Sequence, residues 1–264
     1  MQRTQTGFAG HVVWVTRPRS EAADLADLIH AMGGCCLTAP LIEIRSRVAP
    51  DTLAALANLQ AFDGVVVTSA NAVRAIATAH AKAAMTPPAD SPPWYAVGAA
   101  TRRAVESLGY RAVVPPGVRS GGQLAEGLAA AAGQGQRLLY LRGQLADSTT
   151  AAVLRAAGYT VDEHICYDTV PAPWPEAAWT SFVQAPPPRV LLLFSPSAVQ
   201  ALAAQVDVTS SMLQQETVVG CIGHTTARAC RDIGLSVHVV PEKPDAAALV
   251  LAAAVEVGRW RHEP

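Results

Sequence analysis

The sequence predicts an α/β protein built as two similar units, each a parallel sheet flanked by helices. Three observations lead there. First, a block of the chain occurs twice: Arg17 precedes Gly33 by sixteen residues as Arg142 precedes Gly158, and Gly98, Thr101 and Gly109 return as Gly223, Thr226 and Gly234. The offset is 125 residues from Arg17 to Arg142 and from Gly98 to Gly223, and 126 from Ser69 to Ser195. That is the size of a small domain and far beyond a solenoid repeat. Second, short apolar runs alternate with helix-period segments, the grammar of strand and crossover helix. Third, the chain has 264 residues, 50% of them hydrophobic and 16% charged, enough apolar residues for two modest cores. Two such units in one chain suggest a ligand held between them.

Taken in order, Val12–Val15 reads as a strand, followed by the polar turn Arg17 to Glu21 with Ser20 as helix cap. Leu25, Leu28, Ile29 and Met32 mark one helical face, which Gly33-Gly34 ends. The second copy repeats this: Leu138–Leu141 as strand, a turn at Arg142-Gly143, a helix through Val153 and Leu154, then Gly158. Further strands are expected at Gly64–Val67, Tyr95–Val97, Ala112–Val114, Val190–Phe194, Val218–Ile222 and Val237–Val240. Most run through a polar or Gly/Pro loop into an Ala-rich helix. The extended segments Ala39–Ile44 and Ile165–Val170 correspond in the repeat and suit a paired hinge. Repeat logic alone puts a domain boundary near Gly133–Gly135, whereas a hinge made of both segments leaves the first domain discontinuous.

Several function classes are disfavoured by what the chain carries. A net charge of −1 without a Lys/Arg run gives no bulk attraction to nucleic acid. The apolar stretch Val12–Val15 is too short for a signal peptide, and Val190–Val206 is broken by Ser195-Pro196-Ser197, so no membrane partner is expected. Five cysteines without CxxC spacing, Cys166, Cys221 and Cys230 among them read as buried small hydrophobes, fit the reducing cytoplasm. No GxGxxG follows a strand, no P-loop or HExxH is present, and the seven histidines are scattered, so neither a dinucleotide nor a metal is expected. Neither Ser195 nor Ser197 sits in GxSxG.

The motifs VTRP (Val15–Pro18), PLIEI (Pro40–Ile44), VVTSANAV (Val66–Val73) and VGAATRRAVESLGY (Val97–Tyr110) resemble the uroporphyrinogen-III synthase family. So do YLRG (Tyr140–Gly143), CYDTV (Cys166–Val170), FSPSAV (Phe194–Val199) and IGHTTARAC (Ile222–Cys230), in the same order along the chain. The resemblance implies two α/β domains joined by a two-stranded β-ladder. Residues 1–42 and 171–264 then form a discontinuous domain, 46–166 form the second, and the hinge strands lie at about 41–46 and 165–170. It also implies a cofactor-free lyase that cyclises hydroxymethylbilane, with loss of water, to uroporphyrinogen III with the last ring inverted. The expected state is a cytoplasmic monomer whose partners are substrate and product, with no nucleic acid and no membrane. The rival reading is a tetrapyrrole-binding or regulatory protein that keeps the clamshell without the chemistry.

The substrate carries eight carboxylates, and loops leading into helices suit them, since helix starts present unpaired N–H groups and a positive dipole end. Ser69, Asn71, Thr101, Ser195, Ser197, Thr225 and Thr226 stand at such turns, as anchors or as ordinary caps. Arg17 and Arg142 occupy matching positions and suit carboxylates, or else bond a neighbouring acidic residue. Gly98 and Gly223 suit close backbone approach or a tight turn. Arg102, Arg103 and Arg228 lie deeper in the helices and are expected to face solvent, and His224 is expected to be incidental. Tyr167 matches the tyrosine of the resembled motif and is the candidate proton donor, against the alternative of a strand tyrosine packed on the ladder.

Overall fold

The computed structural model describes residues 7–88, 90–131 and 135–260; the boundary expected near Gly133–Gly135 falls largely outside them. The first stretch of chain runs Val12–Val15 (β1), Ala23–Ala31 (α1), Cys35–Thr38 (β2), Ile42–Ser46 (β3) and Pro50–Ala57 (α2). It continues through Gly64–Val67 (β4), Ala70–Ala83 (α3), Trp94–Ala96 (β5), Gly98–Ser107 (α4), Ala112–Val113 (β6) and Gly121–Ala130 (α5). The second copy opens with Arg137–Gly143 (β7), Thr149–Ala156 (α6) and the long Thr160–Pro171 (β8). Glu176–Gln184 (α7), Arg189–Leu193 (β9), Pro196–Ala203 (α8), Ser211–Gln215 (α9), Thr217–Cys221 (β10), His224–Asp232 (α10) and Ala246–Trp260 (α11) complete it. No helix among the described residues is long and apolar enough to cross a membrane.

The chain divides into two compact units: the described residues up to Glu43 together with those from Val170 onward, and Ile44–Thr169. The first unit holds a parallel sheet in the order β10-β9-β1-β2, to which Val239 adds one bridge beside Gly220. Strands β1, β9 and β10 are covered on both faces, which is why they read as largely apolar runs. Trp14, Leu191 and Leu193 enter one core with Phe182 and Leu202, while Val13, Val15 and Leu192 enter the other with Ile29 and Leu249.

The second unit carries the order β3-β8-β7-β4-β5-β6, parallel from β8 to β6. Val65, Val67, Leu139 and Leu141 line one core with Ile76 and Trp94, and Val66, Leu138 and Tyr140 line the other with Leu124 and Leu154. The pair β3–β8 runs the other way: Arg47 N–H donates to Cys166 O at 2.8 Å, and Ala172 N–H to Leu41 O at 3.0 Å. These two strands are where the chain passes between the units.

The internal repeat reappears as hydrogen-bond register. Val12 pairs with Cys35 in β1–β2, and Arg137 with Thr160 in β7–β8, both members displaced by 125. Val13 pairs with Val190 as Leu138 pairs with Gly64; Leu191 with Val219 as Val65 with Trp94; Gly220 with Val239 as Tyr95 with Val113. Each unit is therefore assembled crosswise. It takes the opening strand-helix-strand of one copy and the remaining strands of the other. The tandem boundary suggested by repeat logic would cut through both sheets.

Three sequence expectations are corrected. The helix α1 begins at Ala23 with Ala22 in the cap position, two residues after Ser20. Arg142 is the penultimate residue of β7 and not part of a turn. Val237–Val240 contributes a single bridge at Val239, because the N–H groups of His238 and Val239 both turn to Val219 O, at 2.9 and 3.2 Å, instead of alternating as in a ladder.

Candidate functional site

In a doubly wound sheet, ligands bind beyond the carboxyl ends of the strands, where the strand order reverses direction. In the second unit β4, β5 and β6 proceed one way and β7 and β8 the other, so the reversal lies between β4 and β7. The helices that follow β4, β5 and β6 begin beyond the carboxyl ends of those strands. At α3, Ser69 is in extended conformation and its Oγ accepts from Asn71 N–H at 3.1 Å. At α5, Ser120 Oγ accepts from Gln123 N–H at 3.2 Å while Gln123 Oε1 takes Arg119 N–H at 2.8 Å, a reciprocal cap. At α4, Gly98 has φ +74°, which strains any residue with a Cβ. An added Cβ would meet no protein atom within 4 Å, so the backbone conformation by itself is enough to favour glycine.

Tyr167 belongs to this end of the sheet. Its hydroxyl donates to Ser69 Oγ at 3.1 Å. A bulge sets its direction: Arg142 pairs with Ile165, but Gly143 pairs with Tyr167, leaving Cys166 as the extra residue. Gln144 N–H closes the bulge on Tyr167 O at 2.9 Å. The Cys166 side chain turns into the core, where burial pushes its thiol up to about 12, so it is no thiolate nucleophile. Thr68 Oγ1 and Tyr140 Oη lie 3.5 Å apart at the same end of β4 and β7. Gly121 lets the start of α5 close on Thr68 and on the buried Thr150. Thr68, Tyr140, Gly143, Thr150 and Gly121 were not singled out from the sequence. The tyrosine and glycine of YLRG and the doubled glycine after Ser120 were the signals available.

The first unit repeats the arrangement, its reversal lying between β9 and β1. Ser195 caps α8, accepting from Ala198 N–H at 3.2 Å, with Ser197 half-buried in the first turn. Thr16 Oγ1 donates to Leu192 O at 2.8 Å, and the Arg17 guanidinium lies over the Phe194 ring at 5.1 Å. Gly223 caps α10 in fully extended backbone, a conformation open to any residue, and a Cβ there would make only an ordinary contact with Pro244 at 3.7 Å. Gly98 and Gly223 are thus equivalent in the repeat but not in conformation.

The remaining candidates separate by exposure and pairing. Thr101 and Thr226 are 4% and 3% exposed and pack in the first turns of α4 and α10, whereas Thr225 is open to solvent. Asn71 Oδ1 accepts from Arg74 at 2.7 Å. Arg17 binds Glu21 at 2.6 Å and Arg142 binds Glu163 at 2.8 Å. Glu163 is shared with Arg155 at 2.8 Å. Arg102, Arg103 and Arg228 are exposed, as expected, and His224 is exposed at the start of α10.

Residues 23–251 match the family model described as uroporphyrinogen-III synthase HemD. A uroporphyrinogen-III synthase of Chlorobaculum parvum is 26% identical over 246 residues, covering 92% of this chain and 97% of that protein. Among solved structures, a mutant uroporphyrinogen III synthase from the extremely thermophilic bacterium Thermus thermophilus superposes with TM-score 0.61 at 20% identity, over 96% of this chain and 100% of that one. The uroporphyrinogen-III synthetase of Helicobacter pylori gives 0.62 at 15% identity over the same share of each chain. The two structures share this fold.

Proposed function

The chain belongs to the uroporphyrinogen-III synthase family, lyases of tetrapyrrole biosynthesis, and we propose how its own residues carry the reaction. Hydroxymethylbilane loses its hydroxymethyl oxygen as water, leaving an electrophilic azafulvene. Attack from the substituted position of the last ring gives a spiro intermediate, which opens and recloses with that ring inverted. Closure at the free position needs no rearrangement and gives the type I isomer, so the protein's task is to make the hindered attack the nearest one.

Helix starts α3, α4 and α5 in one unit, and α8 and α10 in the other, supply N–H groups and small polar side chains for the substrate carboxylates. Ser69, Asn71, Ser195, Ser197 and Thr225 are the side chains assigned to this anchoring, with Thr101 and Thr226 holding the first turns from within. Arg17 and Arg142 add positive charge shared with Glu21 and Glu163. Tyr167 Oη gives its proton to the departing hydroxyl. The proton released from the free pyrrole position at the last closure replaces it, so the step balances without another reactant.

The single observation that most supports this role is the Tyr167 hydroxyl beside Ser69 at the start of α3. The test is to incubate the purified protein with fresh hydroxymethylbilane and separate the products by isomer. Type III above the uncatalysed background is expected; type I alone would leave a binding protein. The reading extends to a monomer acting in the cytoplasm, which light scattering of the pure protein and cell fractionation test.

A further inference from the structure

We propose that Gly143 is a positioning residue for Tyr167: its missing side chain is the space in which the tyrosine ring lies and from which the hydroxyl reaches Ser69. The inference rests on Tyr167 being the proton donor. A Cβ placed on Gly143 would come within 2.7 Å of Tyr167 Oη and 2.8 Å of Cε1, and closest to Cζ. All three of its nearest neighbours belong to that one ring. Carbon atoms in contact sit about 3.5–4.0 Å apart, so the ring must retreat by ~1 Å.

The backbone itself does not call for glycine here. Gly143 is the last residue of β7 and lies outside the positive-φ glycines, so alanine fits its conformation. What must give way is the far end of one side chain, which costs little stability. The same retreat strains the 3.1 Å bond from Tyr167 Oη to Ser69 Oγ. Ser69 Oγ is fixed from the other side by Asn71 N–H at 3.1 Å and cannot follow without uncapping α3. The bulge at Cys166 completes the device, because in regular register Gly143 would face Cys166 instead of Tyr167. A misplacement of ~1 Å in a reacting group can cost on the order of 100-fold in rate.

The experiment is a double-variant cycle on kcat with hydroxymethylbilane, using Gly143→Ala, Tyr167→Phe and both together. Tyr167→Phe is expected to lower kcat by about 5–150-fold. Gly143→Ala is expected to lose a similar factor, mainly in kcat and not in KM. The double variant should be no more than about twofold slower than Tyr167→Phe alone, since only one function is being removed. A normal rate for Gly143→Ala, or factors that multiply in the double variant, would overturn the proposal while leaving the tyrosine's role intact. A normal rate for Tyr167→Phe removes the tyrosine's role, and the proposal with it. Should Gly143→Ala unfold, Tyr167→Ala decides, because it empties the space. Adding Gly143→Ala to Tyr167→Ala should leave the melting temperature unchanged, and a drop would show that the glycine serves something other than the ring.

Discussion

Tyr167 is held by Ser69 at its hydroxyl and by Gly143 beneath its ring, and Tyr167→Phe keeps the ring while deleting the proton. The expected outcome is a loss of about 5–150-fold in kcat, the rate equivalent of one functional hydrogen bond, with an unchanged circular dichroism spectrum. Two histidines make a separate prediction about pH. His80 is buried in α3 with Nε2 unpartnered, and burial holds its pKa below the usual 6.5. His238 is also lowered by burial, and its Nδ1 accepts Val219 N–H at 3.1 Å, which a proton would abolish. A lowered folded pKa means the unfolded chain binds more protons below about pH 6.5, so stability is complete above that pH and declines as the pH falls through and below it. Urea unfolding at pH 7.5 and 5.5 should show the decline, and His80→Gln should lessen it; equal midpoints at both pH values would contradict this assignment.

Residues differ in how far the sequence revealed them. Tyr167 and Ser69 stood out because they sit in motifs, one in CYDTV and one in VVTSANAV. Their hydrogen bond did not, since it joins positions 98 apart in the chain. Gly143 is visible as the end of YLRG and as part of a turn, but its use depends on a bulge that a strand pattern cannot announce. The pairing of Arg17 with Glu21 was open to inspection at four-residue spacing, whereas Glu163 meets Arg142 only once β7 and β8 are side by side.

Among elements, the caps carry a testable cost. Ser195 holds the start of α8 through Ala198 N–H, and replacing it by alanine should lower unfolding free energy by about 0.5–2 kcal/mol, with aspartate recovering most of it. If alanine and aspartate were equally damaging in chemical denaturation, Ser195 would not be acting as a cap. Strands buried on both faces were easy to read, because Val12–Val15 and Gly64–Val67 are unbroken apolar runs bounded by turns. The strand β2 was missed: Cys35–Thr38 is short, half-exposed and opens with two cysteines. Val237–Val240 reads as a strand from its apolar alternation, yet Val237 and Val240 pack at the core edge and the segment forms one bridge, at Val239.

At the scale of the whole molecule, the repeat named the parts but not their partners. Equivalent strands have the same register, so β7 would meet either β4 or β9 with the same apolar pattern, and sequence similarity cannot choose between them. The crosswise assembly makes a prediction about fragments. Ile44–Thr169 is contiguous and encloses two cores of its own, so it should fold alone with a cooperative thermal transition. A fragment ending at residue 131 keeps β4–β5–β6 but loses β7 and β8 beside them, and should not melt cooperatively. The opposite result, a folded N-terminal half and an unfolded 44–169, would restore a tandem arrangement.

The central claim is that many modest contacts select the productive conformation and one tyrosine eases water's departure. It is tested most directly by measuring rate and type III fraction for Tyr167→Phe, Ser197→Ala and Thr226→Ala against the parent protein. Each folded variant should keep type III product at a reduced rate, Tyr167→Phe by about 5–150-fold and the two helix-start variants by similar or smaller factors. One folded variant that lost all type III product, while the others retained full rate, would contradict the account.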